Sequence, residues 1–279
     1  MRIFKYWVPY SQKLKIDSNT SMLSFNGNTV KSSEHVFTTY GGSNFSESDA
    51  KEDAKRKLER VQKIMGGEIS PNDEDYEADI LEEILHQVDS DNIVTRNRYG
   101  AEVLNCKKIM FIDVDNCSRG LFDIFRGLTN KESTLKRIVK KCKKTHFSHL
   151  GFRVYETFKG FRIMVVHKDF DPKSDESKKI MKSFNADYLY RRLCIKQNCY
   201  RARLTPKPFR INQKGIRVIF PKKDIIQEER MAKWINEYNS KSANYASCKL
   251  VFKYGRSTTN RVIDYHDKKT KAETEYELA

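Results

Sequence analysis

Residues 107–115 read KKIMFIDVD, an apolar run that leads into two carboxylates. A short run rich in Ile, Phe and Val predicts a buried β-strand. Further along the chain, GFRVYET at 151–157 and FRIMVVH at 161–167 have the same character. Because only a short turn separates these two segments, they predict a β-hairpin. The three strands together form the centre of the predicted fold.

Helical patterns and further strands complete a βαββαβ order around this centre. Helices are predicted over 121–128, 131–145 and 175–195, and strands over 199–204 and 215–220. This is the ferredoxin-like order of RNA-recognition (RRM-like) modules and polymerase palms. We therefore predict an α+β fold with such a palm, followed by a C-terminal helix-strand cap. The cap comprises a helix at 225–239 and strands near 248–254 and 260–265, which either cap the sheet or extend it.

The segment before the palm is predicted to be an N-terminal α+β extension. Its elements are short strands within 1–45 with a hairpin signal at Asn26-Gly27, a helix from Ser46 to Gly66 with Asp49 as the capping partner, an acidic linker at 68–75 and an amphipathic helix at 80–88.

The charge of the chain is unevenly distributed. Its 279 residues carry a formal net charge of +16, and residues 1–100 contain 13 Lys and Arg against 17 Asp and Glu. Residues 101–279 contain 40 against 20, a net charge of +20. This change of composition predicts a domain boundary near residue 100 and a polyanionic partner for the basic part: DNA or RNA, with nucleoside triphosphates. A merely solvated basic surface is the alternative.

Other features predict a cytoplasmic protein without a membrane partner. The sequence contains no apolar run long enough to span a bilayer, and the first residues lack the apolar core of a signal peptide. Six cysteines at irregular spacing favour reduced thiols, and none of them forms the paired spacing of a zinc site, so no zinc is expected. They are Cys106, Cys117, Cys142, Cys194, Cys199 and Cys248.

Asp113 and Asp115 are the leading candidates for chemistry. Since one residue separates them on a predicted strand, both side chains point to the same face. Two carboxylates at a strand end suit Mg²⁺ or Mn²⁺, with substrate phosphates as the remaining ligands. Glu156, on the neighbouring hairpin, is the predicted third carboxylate. Solvated carboxylates at a strand edge are the alternative.

Basic residues supply the predicted phosphate contacts. Lys159 and Arg162 are expected to hold a triphosphate, and His167 is a further nucleotide-binding candidate. CYRARLTPKPFR at 199–210 combines cations with prolines and with the aromatic residues Tyr200 and Phe209, a composition suited to phosphates and stacked bases. The predicted nucleic-acid contacts are Arg96, Arg98, Lys136, Lys140, Arg201, Arg203, Lys207 and Arg210.

These motifs resemble the archaeo-eukaryotic primase–polymerase superfamily over residues 107–220. The residues that carry the resemblance are Phe111 to Asp115, Lys159 to Arg162 and, more loosely, Arg201 to Pro208. The resemblance implies a palm in which the paired aspartates bind the catalytic metals for nucleotidyl transfer. It also implies a nucleotide-contacting histidine in the second motif, where this chain has Arg162.

Two other functions fit the same residues. The first is a nucleic-acid-binding protein without catalytic activity, in which the aspartates have no catalytic role. FIDVDN also resembles the D-x-D opening of haloacid-dehalogenase-type phosphatases, in which Asp113 would be the nucleophile. That family has Thr or Val where this chain has Cys117.

Overall fold

The computed structural model describes residues 1–16, 33–70, 78–218, 220–221, 224–255 and 260–279. These residues form a mixed α+β structure, as predicted, with two compact units. The smaller unit is Arg2–Leu81, and the larger is Glu82–Ala279 together with Met1. The predicted boundary near residue 100 therefore falls inside the larger unit.

The smaller unit is a helix packed on a two-stranded antiparallel sheet. Its elements are β1 (Tyr6–Ile16), β2 (Ser33–Ser43) and α1 (Glu47–Met65). Ser46 caps α1 by accepting a hydrogen bond from the backbone N–H of Asp49, which confirms the predicted helix start. The Asn26-Gly27 turn and residues 71–75 of the acidic linker lie outside the described residues.

The larger unit contains two four-stranded antiparallel sheets. Its strands are β3 (Glu83–Asp89), β4 (Asn92–Arg96), β5 (Glu102–Cys106), β6 (Met110–Asp115), β7 (Gly151–Thr157), β8 (Gly160–Val166), β9 (Tyr200–Arg203), β10 (Tyr245–Ala246), β11 (Cys248–Tyr254) and β12 (Glu277–Leu278). Its helices are α2 (Leu121–Phe125), α3 (Asn130–Cys142), α4 (Asp175–Ser183), α5 (Tyr188–Gln197), α6 (Ile225–Ser242) and α7 (Arg261–Thr270). The central sheet has the order β11-β7-β8-β6, and the second sheet has the order β3-β4-β5-β9.

The βαββαβ order is present along the chain from β6 to β9, but the sheet differs from the predicted one. The first three strands are adjacent in the order β6-β8-β7. In a ferredoxin-like sheet the fourth strand lies beside the first. Here the fourth strand, β9, pairs with β5 in the second sheet. β11 pairs with β7, so the C-terminal region extends the central sheet at its other edge.

Three local predictions are wrong. The helix predicted at 80–88 is largely strand β3, because pairing with β4 satisfies its backbone groups. The strand predicted at 260–265 is the start of α7, where the Asn260 side chain caps the helix by accepting from the N–H of Val262. No strand forms over residues 215–218 or at residue 220, which are the described residues of the strand predicted at 215–220.

Within the described part of the chain, no helix is both long enough and apolar enough to cross a bilayer. All six cysteines are free thiols, and all except Cys117 are buried.

Candidate phosphate-binding site

The two aspartates lie on the same face of the central sheet, as their spacing predicted. Asp113 is paired with Arg162 of β8, and Asp115 is paired with Gly160. Because directly opposed residues of antiparallel strands share a face, Arg162 lies on this face too. Tyr155 of β7, which is paired with Arg162, also belongs to it. We call this side of the central sheet the aspartate face.

Close approach of β6 and β8 brings these residues together. A Cβ atom at Gly160 would lie 2.2 Å from the backbone oxygen of Val114, a distance that no side chain tolerates. Glycine therefore permits the two backbones to pair at the end of the sheet where both aspartates lie. The side chain of Asp113 is 43% exposed, and Asp115 is exposed. Both carboxylates can thus meet a ligand from solvent.

Arg162 is the buried centre of the aspartate face. It is 4% exposed, and its Nε lies 3.4 Å from Oδ1 of Asp113. Its Nη1 donates to the backbone oxygen of Arg203 at 2.9 Å and lies 3.4 Å from Nε2 of His266. The guanidinium is therefore held in position by three different elements.

His266 belongs to α7, which packs on the aspartate face. Burial lowers the pKa of His266, and the nearby positive charge of Arg162 acts in the same direction. Asp267 opposes both effects, and the resulting pKa is about 4. Nδ1 of the ring lies 2.9 Å from Oδ1 of Asp267. In a neutral ring, Nδ1–H donates to this carboxylate, and Nε2 is left to accept from Arg162. Tyr155 and Arg153 of β7 also donate to Asp267, which completes a buried polar network.

Arg203 lies beside this network with little compensation of its charge. No carboxylate within the described ranges forms an ion pair with it, and its buried Nε lacks a hydrogen-bond partner. Burial lowers the pKa of Arg203 to about 10, and repulsion from Arg162 and Arg210 contributes in the same direction. The attraction of Asp113 offsets these effects only in part.

Three more cations complete this group: Lys207 and Arg210 lie near Arg203, and Lys159 lies near Lys207. Burial lowers the pKa of Lys207, and repulsion from Arg203, Arg210 and Lys159 lowers it further. Burial likewise lowers the pKa of Arg210. Across the part of the chain that the structure describes, none of these three forms an ion pair with a carboxylate. We call these three residues, with Arg203, the cation cluster.

The segment that carries most of the cation cluster is fixed to its surroundings. The hydroxyl of Tyr238 donates to the backbone oxygen of Pro206, and that of Ser247 donates to the backbone oxygen of Leu204. Pro208 then begins a short 3-10 helix, Pro208–Ile211. The backbone of such a segment loses little further conformational freedom when its side chains bind a ligand.

Two of the predicted site residues lie elsewhere. Glu156 is paired with Phe161, which alternates with Arg162, so Glu156 lies on the opposite face of the central sheet. There it forms an ion pair with Lys131 of α3 at 2.6 Å. His167 follows β8 at the end remote from Gly160, about 20 Å along the strand direction. Neither residue belongs to the candidate site.

Two further arginines predicted to contact nucleic acid, Arg201 and Arg96, lie in the second sheet and form contacts within the protein. Arg201 forms an ion pair with Glu82 and donates from Nε to Oδ1 of Asn105 at 2.8 Å. Arg96 is buried, and its Nη1 donates to the backbone oxygen of Gly100. The charge of Arg201 is therefore balanced within the protein, whereas Arg96 is buried with a backbone hydrogen bond and forms no ion pair within the described ranges.

The other predicted contacts are more dispersed. Arg98 remains exposed beside Tyr99, whereas the ring of Tyr200 is fully buried. On α3, Lys136 forms an ion pair with Asp123 at 3.1 Å, and Lys140 is exposed. Because α3 contacts Glu156, it packs on the side opposite the aspartate face. A role of these α3 lysines in nucleic-acid binding stays a prediction.

No protein-family model, curated protein or solved structure matches this chain. Among the described residues, no group of three or more His, Cys, Asp or Glu side chains is placed to hold a metal ion. The aspartate face offers a smaller donor set, the carboxylates of Asp113 and Asp115.

That donor set fits a hard divalent cation. Mg²⁺ is commonly held by one or two carboxylates, with water and substrate phosphates as its other ligands. Arg162 contacts one oxygen of Asp113, which leaves the other oxygen and the whole carboxylate of Asp115 for a cation. The cation cluster supplies the charge that substrate phosphates need nearby.

Sequence reasoning missed the network behind Arg162. Tyr155, His266 and Asp267 meet across more than one hundred residues of chain. No local pattern predicts such a contact, and the sequence predicts a strand at 260–265, directly before His266. Phe158 was missed as well, although it occupies the turn next to Lys159 and is exposed.

Proposed function

We propose that this protein binds nucleic acid and nucleoside triphosphates, and that it catalyses metal-dependent nucleotidyl transfer on the aspartate face. The observation that carries the proposal is a cluster of cations without carboxylate partners beside two exposed carboxylates. Asp113 and Asp115 would hold Mg²⁺ or Mn²⁺. The cation cluster and Arg162 would contact the phosphates.

The members of the cation cluster repel one another. Burial and repulsion lower the pKa values of Arg203 and Lys207, so these groups destabilise one another in the free protein. A bound polyanion relieves that repulsion and replaces the hydration that burial removed. Phosphoryl transfer depends mainly on positioning and on neutralising charge, and a divalent cation would neutralise phosphate oxygens.

The fold is compatible with the proposed chemistry. The βαββαβ order and the β6-β8-β7 adjacency support a palm-like interpretation and the resemblance to primase–polymerases. Since many unrelated activities use this strand order, the proposal rests on the side chains of the site. Free thiols are typical of a reducing compartment, so we propose a cytoplasmic location.

Nucleic-acid binding without catalysis is the second candidate, and one observation favours it. Arg162 already contacts Asp113, and Glu156 lies on the opposite face, so the aspartate face provides two carboxylates without this third one. A purely structural role for Asp113, as the counterion of Arg162, follows naturally from that geometry.

Incorporation of labelled nucleotides on single-stranded DNA and RNA, with Mg²⁺ or Mn²⁺, tests the proposal. The variants are Asp113→Asn and Asp115→Asn, with Asp175→Asn on the exposed start of α4 as the matched control. We expect metal-dependent product from the wild type and the control, and none from the two site variants. Phosphate release from small phosphoesters, measured in parallel, would instead indicate the D-x-D phosphatase.

Two other outcomes would contradict nucleotidyl transfer. Template binding by all four proteins without any product would contradict nucleotidyl transfer and favour the binding protein. Failure of the wild type to bind any template would contradict both candidates.

A further inference from the structure

Two exposed aromatic rings adjoin the cation cluster. Phe158 lies in the turn between β7 and β8 and is 47% exposed, and Phe209 lies in the 3-10 helix and is 68% exposed. The guanidinium carbon of Arg210 lies 4.3 Å from the ring centroid of Phe158 and 5.8 Å from that of Phe209. Nζ of Lys207 lies 5.9 Å from the Phe209 centroid. Rings and cations therefore form one surface.

The rings are held by short, constrained segments. Phe158 and Lys159 are the two residues that link the paired strands, and Phe209 follows directly after Pro208. Aromatic side chains have few rotatable bonds, so they present a large planar area with little loss of conformational entropy. Exposure of the apolar phenyl rings to water is unfavourable. Contact with a ligand that removes this apolar area from water would therefore be favourable.

We infer that Phe158 and Phe209 stack on unpaired nucleobases while the cation cluster holds the adjoining phosphates. This inference rests on the proposed function and specifies its substrate class as single-stranded nucleic acid. Stacking on aromatic side chains stabilises bound bases of any sequence, because every base has a π-face. Bases within a duplex are already stacked on each other, so the duplex cannot use these rings in the same way.

Charge complementarity favours this occupant over an apolar protein segment. Lys159, Lys207 and Arg210, which adjoin the rings, form no ion pair with a carboxylate within the described ranges. A partner that covered the rings with apolar side chains would desolvate these cations without compensation. A single strand alternates planar bases with phosphates, and thus satisfies both parts of the surface.

An abasic oligonucleotide separates the two contributions. Three labelled ligands of about 12 nucleotides, a length typical of such sites, would be prepared. They are single-stranded oligothymidine, the abasic deoxyribose-phosphate chain and a duplex. Binding would be measured for the wild type, for Phe158→Leu/Phe209→Leu, and for Phe125→Leu. Phe125 is 87% exposed on α2 and is the matched control. Leucine keeps an apolar side chain but removes the ring face.

We expect the wild type and the Phe125→Leu control to bind oligothymidine at least roughly 10-fold more tightly than the abasic chain or the duplex. The double variant should lose that advantage and keep the affinity of the wild type for the abasic chain. Equal wild-type affinity for thymidine and abasic chains would overturn the inference while leaving phosphate binding intact. Failure of every strand to bind the wild type would overturn the proposed function as well.

Discussion

Two arginines, Arg153 on β7 and Arg203 on β9, illustrate how surroundings decide the role of a residue. Arg153 donates to Asp267, so its charge is balanced inside the buried network. Arg203 has no such carboxylate among the described residues, and its pKa falls to about 10 because of burial and the nearby Arg162 and Arg210. The first arrangement stabilises the fold, whereas the second stores repulsion that an anion relieves.

Replacement of Arg203 should therefore separate stability from binding. We expect Arg203→Met to raise the free energy of unfolding by about 1 kcal/mol, because it removes an uncompensated cation. The same change should weaken binding of a single-stranded oligonucleotide roughly 10-fold. Urea unfolding and fluorescence anisotropy measure the two effects.

Arg153→Met is the control for this prediction. It leaves Asp267 without one of its donors, so the free energy of unfolding should fall by about 3 kcal/mol. If Arg203→Met destabilises the protein as much as Arg153→Met does, Arg203 has a structural role and the cation cluster is not strained.

His266 predicts a specific pH dependence of stability. Its pKa is about 4 in the fold against an ordinary 6.5, because of burial and the adjacent Arg162. Between these values the unfolded chain binds a proton that the folded chain does not bind. The free energy of unfolding should therefore fall by up to about 3 kcal/mol as the pH falls from 6.5 to 4. From about one pH unit above 6.5 upward, neither state is protonated at this ring, and the contribution is constant.

Urea unfolding at several pH values between 7 and 4 checks this prediction. His266→Asn removes the titrating ring and should flatten the dependence over this window. Asp267 does not explain the same window, since contacts with His266 and Tyr155 outweigh its burial and lower its pKa below the ordinary 3.8. An equal pH dependence in the wild type and the variant would contradict the assignment to His266.

Sequence alternation predicted part of the candidate site and failed for a definable reason. The common face of Asp113 and Asp115 follows from their spacing alone. To predict the face on which Glu156 lies, the register of the β7–β8 hairpin is needed as well. With a two-residue turn Glu156 is paired with Phe161 and faces away from Arg162, so the turn length contained the signal.

At the scale of elements, the pairing of β6 with β8 determines whether the site forms. Gly160→Ala places a methyl group 2.2 Å from the backbone oxygen of Val114 and should force the strands apart. We expect the free energy of unfolding to fall by about 2–3 kcal/mol, and single-strand binding to weaken because Lys159 and Arg162 shift. Thermal unfolding and anisotropy measure these effects.

Gly215→Ala provides the matched control. A Cβ atom at Gly215 meets no atom within 4 Å, so this change should leave stability unchanged or raise it by about 0.5 kcal/mol. Equal tolerance of alanine at positions 160 and 215 would show that the close β6–β8 approach is not required.

Elements with complete local signals were predicted well. α3 has a capping box between Thr129 and Glu132 and a continuous apolar stripe, and its observed range lies within about one turn of the predicted one. For β3 the local pattern and the structure disagree. The spacing of its apolar residues predicts a helix, but pairing with β4 makes the segment a strand. α7 depended on the cap provided by Asn260, which the sequence-based interpretation overlooked.

For the whole molecule, the number of basic residues overstates the free positive surface. Residues 101–279 contain 40 Lys and Arg, yet some of them, such as Arg201 and Lys136, are neutralised by Glu82 and Asp123. What the sequence could not reveal is which cations lack carboxylate partners, because such pairs form between distant segments. The structure concentrates a few of these cations beside the aspartates.

The salt dependence of single-strand binding tests this central claim most directly. The logarithm of the binding constant falls linearly with the logarithm of salt concentration, by about 0.7 per phosphate contact for single strands. We predict that Lys159→Gln/Lys207→Gln reduces this slope by about 1.4. Lys178→Gln/Lys253→Gln, which removes lysines already paired with Asp175 and Glu273, should leave the slope unchanged. An unchanged slope in the first pair, or an equal reduction in both, would contradict phosphate binding by the cation cluster.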